Sequence, residues 1–240
     1  MLHVPDEGIS PFLDMEIKKR KEVTLHCRRM WRILRRFMRR RATRRNIAPL
    51  GYIMASSIHP DIETIRITEA QIQARVVELG AEISRDYEGK DLVVVGILKG
   101  ATLFLADLVR HIDVPLSFDF VAIGSYGGES RSSGVVRILK DLDEPVESRH
   151  VLVLEDVINP RMSLRLSYLV DNLKSRRAAS VKVCTLLDKP SRRINGGIEP
   201  DYSGFTIDQE YVVGYGLDYL GRYRSLPYIG VLKPVIYGGG

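Results

Sequence analysis

One nine-residue stretch, His150-Val-Leu-Val-Leu-Glu155-Asp156-Val-Ile158, constrains the fold more than any other part of the chain. An unbroken apolar run followed by β-branched residues reads as a strand buried on both faces, the signature of a parallel sheet covered by helices. In open α/β sheets ligands bind at the carboxyl ends of the strands, which is where Glu155 and Asp156 fall. Two adjacent carboxylates there suit sugar hydroxyls or a hard cation such as Mg²⁺. The same pair would also serve the positive N-terminus of a following helix. Spacing alone leaves both readings open.

Charge divides the chain. Of its 240 residues, the first 53 hold 14 Lys/Arg and 5 Asp/Glu, a net +9, so the total of +6 leaves −3 for residues 54–240. The basic balance therefore belongs to an extension, and the 187 residues after it suffice for a sizeable core. Cys184, within Val181-Lys-Val-Cys-Thr-Leu-Leu187, reads as a small buried hydrophobe, and with Cys27 it suggests neither a disulfide framework nor a zinc site. No apolar run reaches the ~18 residues of a membrane span, and the basic N-terminal region is not followed by the apolar stretch of a secretory signal. A cytoplasmic location is expected.

Within the extension, Met30, Ile33, Leu34, Phe37 and Met38 recur at helical spacing among arginines. A basic amphipathic helix on nucleic acid or an anionic membrane is one reading. A transit peptide is another, opposed by Asp6, Glu7, Asp14, Glu16 and Glu22. A third takes Met54 as the biological start, with residues 1–53 no part of the native protein.

From residue 54 the pattern is that of a single α/β domain. Thr68-Glu-Ala-Gln71 forms a capping box ahead of the stripe Ile72, Val76, Leu79, Ile83, predicting a helix that ends near Gly89. Strands are expected over 92–98, 115–123, 135–139, 150–158 and 181–187, helices over 101–111 and near 163–174, and short strands around Phe205, Tyr211, Val213 and Ile229. Strands alternating with helices indicate a parallel sheet. The glycine-rich stretch Gly124–Gly134 is too long for a tight hairpin turn. It reads either as a lid carrying Ser125 and Tyr126 over a site or as an idle surface loop.

Six segments in one order then carry a resemblance: Ile97-Leu-Lys-Gly100, Phe118-Asp-Phe120, Ser125-Tyr-Gly127, Val151-Leu-Val-Leu-Glu-Asp156, Leu187-Asp-Lys-Pro190 and Tyr211-Val-Val-Gly-Tyr-Gly-Leu-Asp218. Together they closely resemble the hypoxanthine-guanine phosphoribosyltransferases, bacterial ones above all, over residues 66–236, about 70% of the chain. The resemblance implies a twisted parallel sheet of about five strands with helices on both faces, and a small hood built from the two chain ends. It also implies a purine-salvage glycosyltransferase, which joins hypoxanthine or guanine to phosphoribosyl pyrophosphate with Mg²⁺, releasing pyrophosphate. By resemblance, Lys99, Gly100 and Arg224 contact pyrophosphate. Glu155 and Asp156 contact ribose hydroxyls and metal waters, and Asp218 holds a second Mg²⁺. Lys189 donates to the purine 6-oxo group, Tyr211 stacks on the base and Val212 offers its backbone. Arg222 reads as a surface charge. A dimer or tetramer is implied by analogy.

The 5′-phosphate cradle departs from the family pattern of an Asp-Ser/Thr-Gly-x-Thr loop. Here the acidic pair leads into Val157-Ile-Asn159-Pro160-Arg161-Met162-Ser163. The helix that follows aligns with the family only if two residues are added between Asn159 and Leu166, at a place one sequence does not fix. If Asn159 occupies the aspartate position, its amide cannot handle the purine N7 proton, and general acid–base assistance is worth ~10²–10⁴ in rate. Pro160 lacks an N–H, and Arg161 stands where a glycine would let backbone approach the anion. The same residues make a sound helix start, Asn159 as N-cap and Pro160 as first helical residue. Arg161, Met162 and Ser163 would then meet phosphate in altered form. The leading expectation is a purine-salvage phosphoribosyltransferase, with its turnover open to impairment by the altered 159–165 loop. The alternative is a catalytically silent regulator that binds nucleotides or phosphoribosyl pyrophosphate and uses the basic arm on nucleic acid.

Overall fold

Thr68 starts the first helix as its sequence predicts. Its Oγ1 accepts the Gln71 N–H at 3.3 Å while Gln71 Oε1 accepts the Thr68 N–H at 2.9 Å, so two orphan donors are met reciprocally. The computed structural model describes residues 58–125, 136–190, 197–208 and 210–238. The extension 1–53, Tyr126 with the rest of its loop, and the side chains of Ser125, Pro160 and Arg161 lie outside the described residues.

In chain order the elements are β1 (Ile62–Ile67), α1 (Glu69–Asp86), β2 (Leu92–Ile97), α2 (Thr102–Leu108), β3 (Leu116–Ser125), β4 (Val136–Lys140), β5 (His150–Ile158), α3 (Pro160–Ser175), β6 (Ser180–Asp188), β7 (Tyr202–Thr206), β8 (Val212–Val213), β9 (Ile229–Leu232) and α4 (Pro234–Tyr237). The main sheet runs β4-β3-β2-β5-β6-β7. Its last five strands are parallel, and β4 is added antiparallel to β3 at one edge. The expected sheet of about five parallel strands thus gains a sixth of opposite direction. An antiparallel neighbour needs only a loop, whereas a parallel one needs a crossover.

Both faces of this sheet are covered, which is why β2 and β5 read as continuous apolar runs. On one face Val94, Leu152, Leu154 and Leu186 pack with Ile72, Val76, Leu79 and Ile83 of α1 and with Phe104, Leu105 and Leu108 of α2. On the other, Val93, Val95, Val151, Val153 and Val183 pack with Leu166, Leu169, Val170 and Leu173 of α3. Successive strand residues alternate between these clusters, as a pleated backbone requires. Cys184 is buried in the first cluster, as its sequence context suggested.

The hood is a second, antiparallel sheet in the order β1-β9-β8, joining an N-terminal strand to two C-terminal ones. Two helix boundaries differ from expectation. The helix of 101–111 tightens into a 3₁₀ turn, Val109–His111, after Leu108. α3 begins at Pro160, three residues before the predicted 163, because Asn159 caps it.

Replacing fully buried Leu152 by alanine is expected to cost about 2–5 kcal/mol of stability. Leu164→Ala, on a residue that is 59% exposed, should cost under about 0.5 kcal/mol. Urea unfolding of the two variants beside the parent checks the contrast.

Candidate active site at the carboxyl edge of the sheet

The sheet parts between β2 and β5. Their last ladder pair is Gly96 with Leu154; β5 then continues alongside β6 as far as Ile158 with Asp188. β2 leads to α2 on one face and β5 leads to α3 on the other, with the connections running in opposite directions across the sheet. This is a topological switch point, where α/β folds open a crevice. Glu155 and Asp156 stand at its mouth.

Gly100 closes against them. A Cβ at this position would lie 1.6 Å from Asp156 Oδ2 and 2.4 Å from its Cγ, so only glycine fits beside that carboxylate. Asp156 is half-buried, and its Oδ1 accepts the Val157 N–H at 2.7 Å. Glu155 is 2% exposed; Oε1 accepts the Asp156 N–H at 3.0 Å, while Oε2 has no hydrogen-bond partner among the described residues. Burial first, and the neighbouring Asp156 carboxylate second, push the Glu155 carboxyl well above the usual carboxylate range.

A turn from the hood side packs on the same loop. Gly214, Tyr215 and Gly216 have φ of +101°, +46° and +99°. A Cβ on Gly216 would meet the Gly100 carbonyl oxygen at 2.1 Å, so the two loops touch backbone to backbone. Beyond it, Arg224 donates from Nη1 to the Gly216 carbonyl at 2.5 Å and pairs through Nη2 with Asp218 Oδ1 at 2.6 Å. Asp218 Oδ2 accepts the Gly221 N–H at 2.6 Å. Lys99 is exposed beside Gly100. The predicted residues Lys99, Gly100, Asp156, Asp218 and Arg224 are thus joined by two touching loops. The three predicted metal carboxylates do not form one cluster: among the described residues no three His, Cys, Asp or Glu converge on a metal position.

Lys189 follows the last residue of β6 and donates from Nζ to the Glu210 carbonyl at 2.8 Å, which brings it to the neighbour of Tyr211. The Tyr211 ring is stacked on Tyr237 at 4.9 Å and 21°, and meets Tyr219 edge-on at 5.6 Å. Val212 is buried in β8 opposite Val231.

The segment after β5 is a helix start. Asn159 Oδ1 accepts the Met162 N–H at 3.1 Å and its carbonyl accepts the Ser163 N–H at 2.8 Å. Ser163 is fully buried, its Oγ accepting the Ile198 N–H at 2.9 Å. Met162 is half-buried, its Sδ 3.9 Å from Arg165 Nη1. Sequence reading assigned nothing to Tyr215, Gly216 or Tyr237. The Gly-Tyr-Gly alternation was the one available signal, since flanking glycines mark a path that other residues rarely take. A separate cavity of about 200 Å³, lined by Val93, Ser117, Phe118 and Arg149 among others, lies toward the amino ends of β2 and β3, away from these groups.

A family profile described as the phosphoribosyl transferase domain matches residues 66–220. The hypoxanthine-guanine phosphoribosyltransferase of Bacillus subtilis is 51% identical over 177 residues, 74% of this chain and 97% of that protein. The bifunctional protein TilS/HprT of Listeria innocua is 54% identical over 181 residues, 75% of this chain, which spans only 28% of that protein's length. A crystal structure of a hypoxanthine phosphoribosyltransferase from Staphylococcus aureus superposes with a TM-score of 0.72 at 46% identity, covering 78% of this chain and all of that one. None of these names supports the silent-regulator alternative. Fold, crevice and relatives agree: the chain belongs to the hypoxanthine-guanine phosphoribosyltransferase family.

Proposed function

We propose that this protein is a purine-salvage enzyme that transfers the phosphoribosyl group of phosphoribosyl pyrophosphate to hypoxanthine or guanine. The observation that carries it is the closure of Gly100 on Asp156 at the switch point, with the Asp218–Arg224 turn against the same loop. In the reaction a purine nitrogen forms a bond to the anomeric carbon as the bond to pyrophosphate breaks, the ribose ring gaining positive charge between. Carboxylates at the sheet edge stabilise that charge and hold the ribose hydroxyls. Lys99 and Arg224 take the leaving pyrophosphate, the guanidinium matching its oxygens as a fork. Lys189 has donors only, so it favours a 6-oxo group over the amino group of adenine. Tyr211 supplies a stacking face.

Mg²⁺ fits the residues present. This cation keeps several waters and takes one or two carboxylates together with substrate phosphates, which suits the half-buried Asp156 carboxylate beside Gly100. When bound it would neutralise charge on the leaving group. For Asp218 to hold a second ion its pair with Arg224 has to open, and the same opening frees the guanidinium for pyrophosphate.

Asn159 weakens the proposed enzyme without disabling its fold. Its amide is spent on capping α3 and has no site that takes up the purine proton at neutral pH. Residues 54–240 form the transferase domain in this reading and residues 1–53 an appended segment, which agrees with relatives aligned over 74–75% of the chain. A homo-oligomer in the cytoplasm completes the proposal. No described helix is long and apolar enough to cross a membrane.

Purified protein mixed with hypoxanthine or guanine, phosphoribosyl pyrophosphate and Mg²⁺ should form the nucleoside monophosphate; ligand binding with no nucleotide at any enzyme concentration would rule the enzyme out. Asn159→Asp should raise turnover by about 10²-fold or more, since aspartate caps a helix as well as asparagine does and adds the missing base. An unchanged rate would count against placing residue 159 at the base position. Gly100→Ala should raise the KM for phosphoribosyl pyrophosphate by about 10²-fold, because its methyl displaces the carboxylate it touches; initial rates at varied substrate test this.

A further inference from the structure

The two loops assigned to pyrophosphate are tied together by a contact outside the site. Tyr215 is 5% exposed, sits at φ +46° between two left-handed glycines, and donates its hydroxyl to Asp107 Oδ2 at 2.7 Å. Such a backbone is rare for a tyrosine and persists only where its surroundings hold it. A Cβ on Gly214 would meet the Tyr228 carbonyl oxygen at 2.0 Å, and one on Gly216 the Gly100 carbonyl oxygen at 2.1 Å, so the turn packs closely against backbone on both sides of Tyr215. Asp107 lies on α2, the short helix that follows directly from Lys99 and Gly100, about 10 Å of helix from the loop. Its carboxylate also accepts Gln73 Nε2 of α1 at 3.0 Å and Arg110 Nη2 at 2.5 Å.

We infer that Tyr215 and Asp107 are the positioning pair of the pyrophosphate grip. On one side the hydrogen bond fixes the turn whose Gly216 carbonyl holds Arg224 and whose next residues lead to Asp218. On the other it fixes the helix that carries Lys99 and Gly100. The distance between the lysine and the guanidinium is therefore set by a buried contact that touches neither substrate. Among the described residues the other side-chain hydrogen bonds of this pair run to Gln73 and Arg110, on the side of α1 and α2. The inference rests on the assignment of Lys99 and Arg224 to pyrophosphate made above.

Tyr215→Phe removes the hydroxyl and keeps the ring. Steady-state kinetics should show the KM for phosphoribosyl pyrophosphate raised about tenfold, the scale of a lost hydrogen bond to a charged acceptor, with the KM for hypoxanthine within about twofold. Asp107→Ala should match it, while Asp107→Asn, whose Oδ1 still accepts, should recover most of the loss. Calorimetric titration of pyrophosphate with Mg²⁺ provides a readout that needs no turnover and should weaken by the same factor in Tyr215→Phe. Equal rises in both KM values, or unchanged pyrophosphate affinity in both Tyr215→Phe and Asp107→Ala, would overturn the inference. Failure of the parent assignment is told apart by the unaltered protein, which would then bind neither pyrophosphate nor phosphoribosyl pyrophosphate.

Discussion

The approach of Gly100 to Asp156 organises everything functional in this protein. It can form only because β2 and β5 separate at a switch point, and only because residue 100 has no side chain to meet the carboxylate. A carboxylate so close to a backbone loop repels anions unless cations stand nearby. Lys99 stands beside Gly100 on one loop, and Arg224 pairs with Asp218 on the turn that touches it. In the proposed enzyme these cations meet the diphosphate while the carboxylates meet its divalent cation.

Glu155 shows how burial divides labour within the acidic pair. Adjacent residues of one strand point to opposite faces. Glu155 turns inward and is driven toward its neutral form by burial and by its neighbour, while Asp156 turns toward Gly100. One residue thus carries a half-buried carboxylate and the other a fully buried one with an oxygen unmatched among the described residues. Both are needed if the ribose is to be held by more than a single contact, but only Asp156 meets the pyrophosphate loop directly.

The start of α3 records a conflict between stability and chemistry. Asn-Pro is among the best openings a helix can have, and here Asn159 spends its oxygen on the Met162 amide while Pro160 gives up no needed donor. If residue 159 holds the base position of the proposed enzyme, the same features withdraw a base and a backbone N–H from its phosphate loop. Ser163 is turned into the core, where its hydroxyl accepts the Ile198 N–H. In the proposed enzyme, impairment is expected in proton handling and 5′-phosphate binding, not in leaving-group recognition.

Much of this was legible in the chain itself. Apolar runs at β2, β5 and β6 announced a sheet buried on both faces, because only such strands lack a polar alternation; the Thr68 box announced α1 because capping is local chemistry. The order of short motifs fixed the family and nominated Lys99, Gly100, Glu155, Asp156, Lys189, Tyr211, Asp218 and Arg224. What periodicity could not convey is distance. That β4 would pair backwards on β3, that Ser163 would face Ile198, and that Tyr215 would reach Asp107 across 108 positions all depend on long-range packing. Residue type determined which groups could act; tertiary structure alone decided which of them meet, since a hydrogen bond or a missing Cβ matters only when another element arrives within a few ångströms.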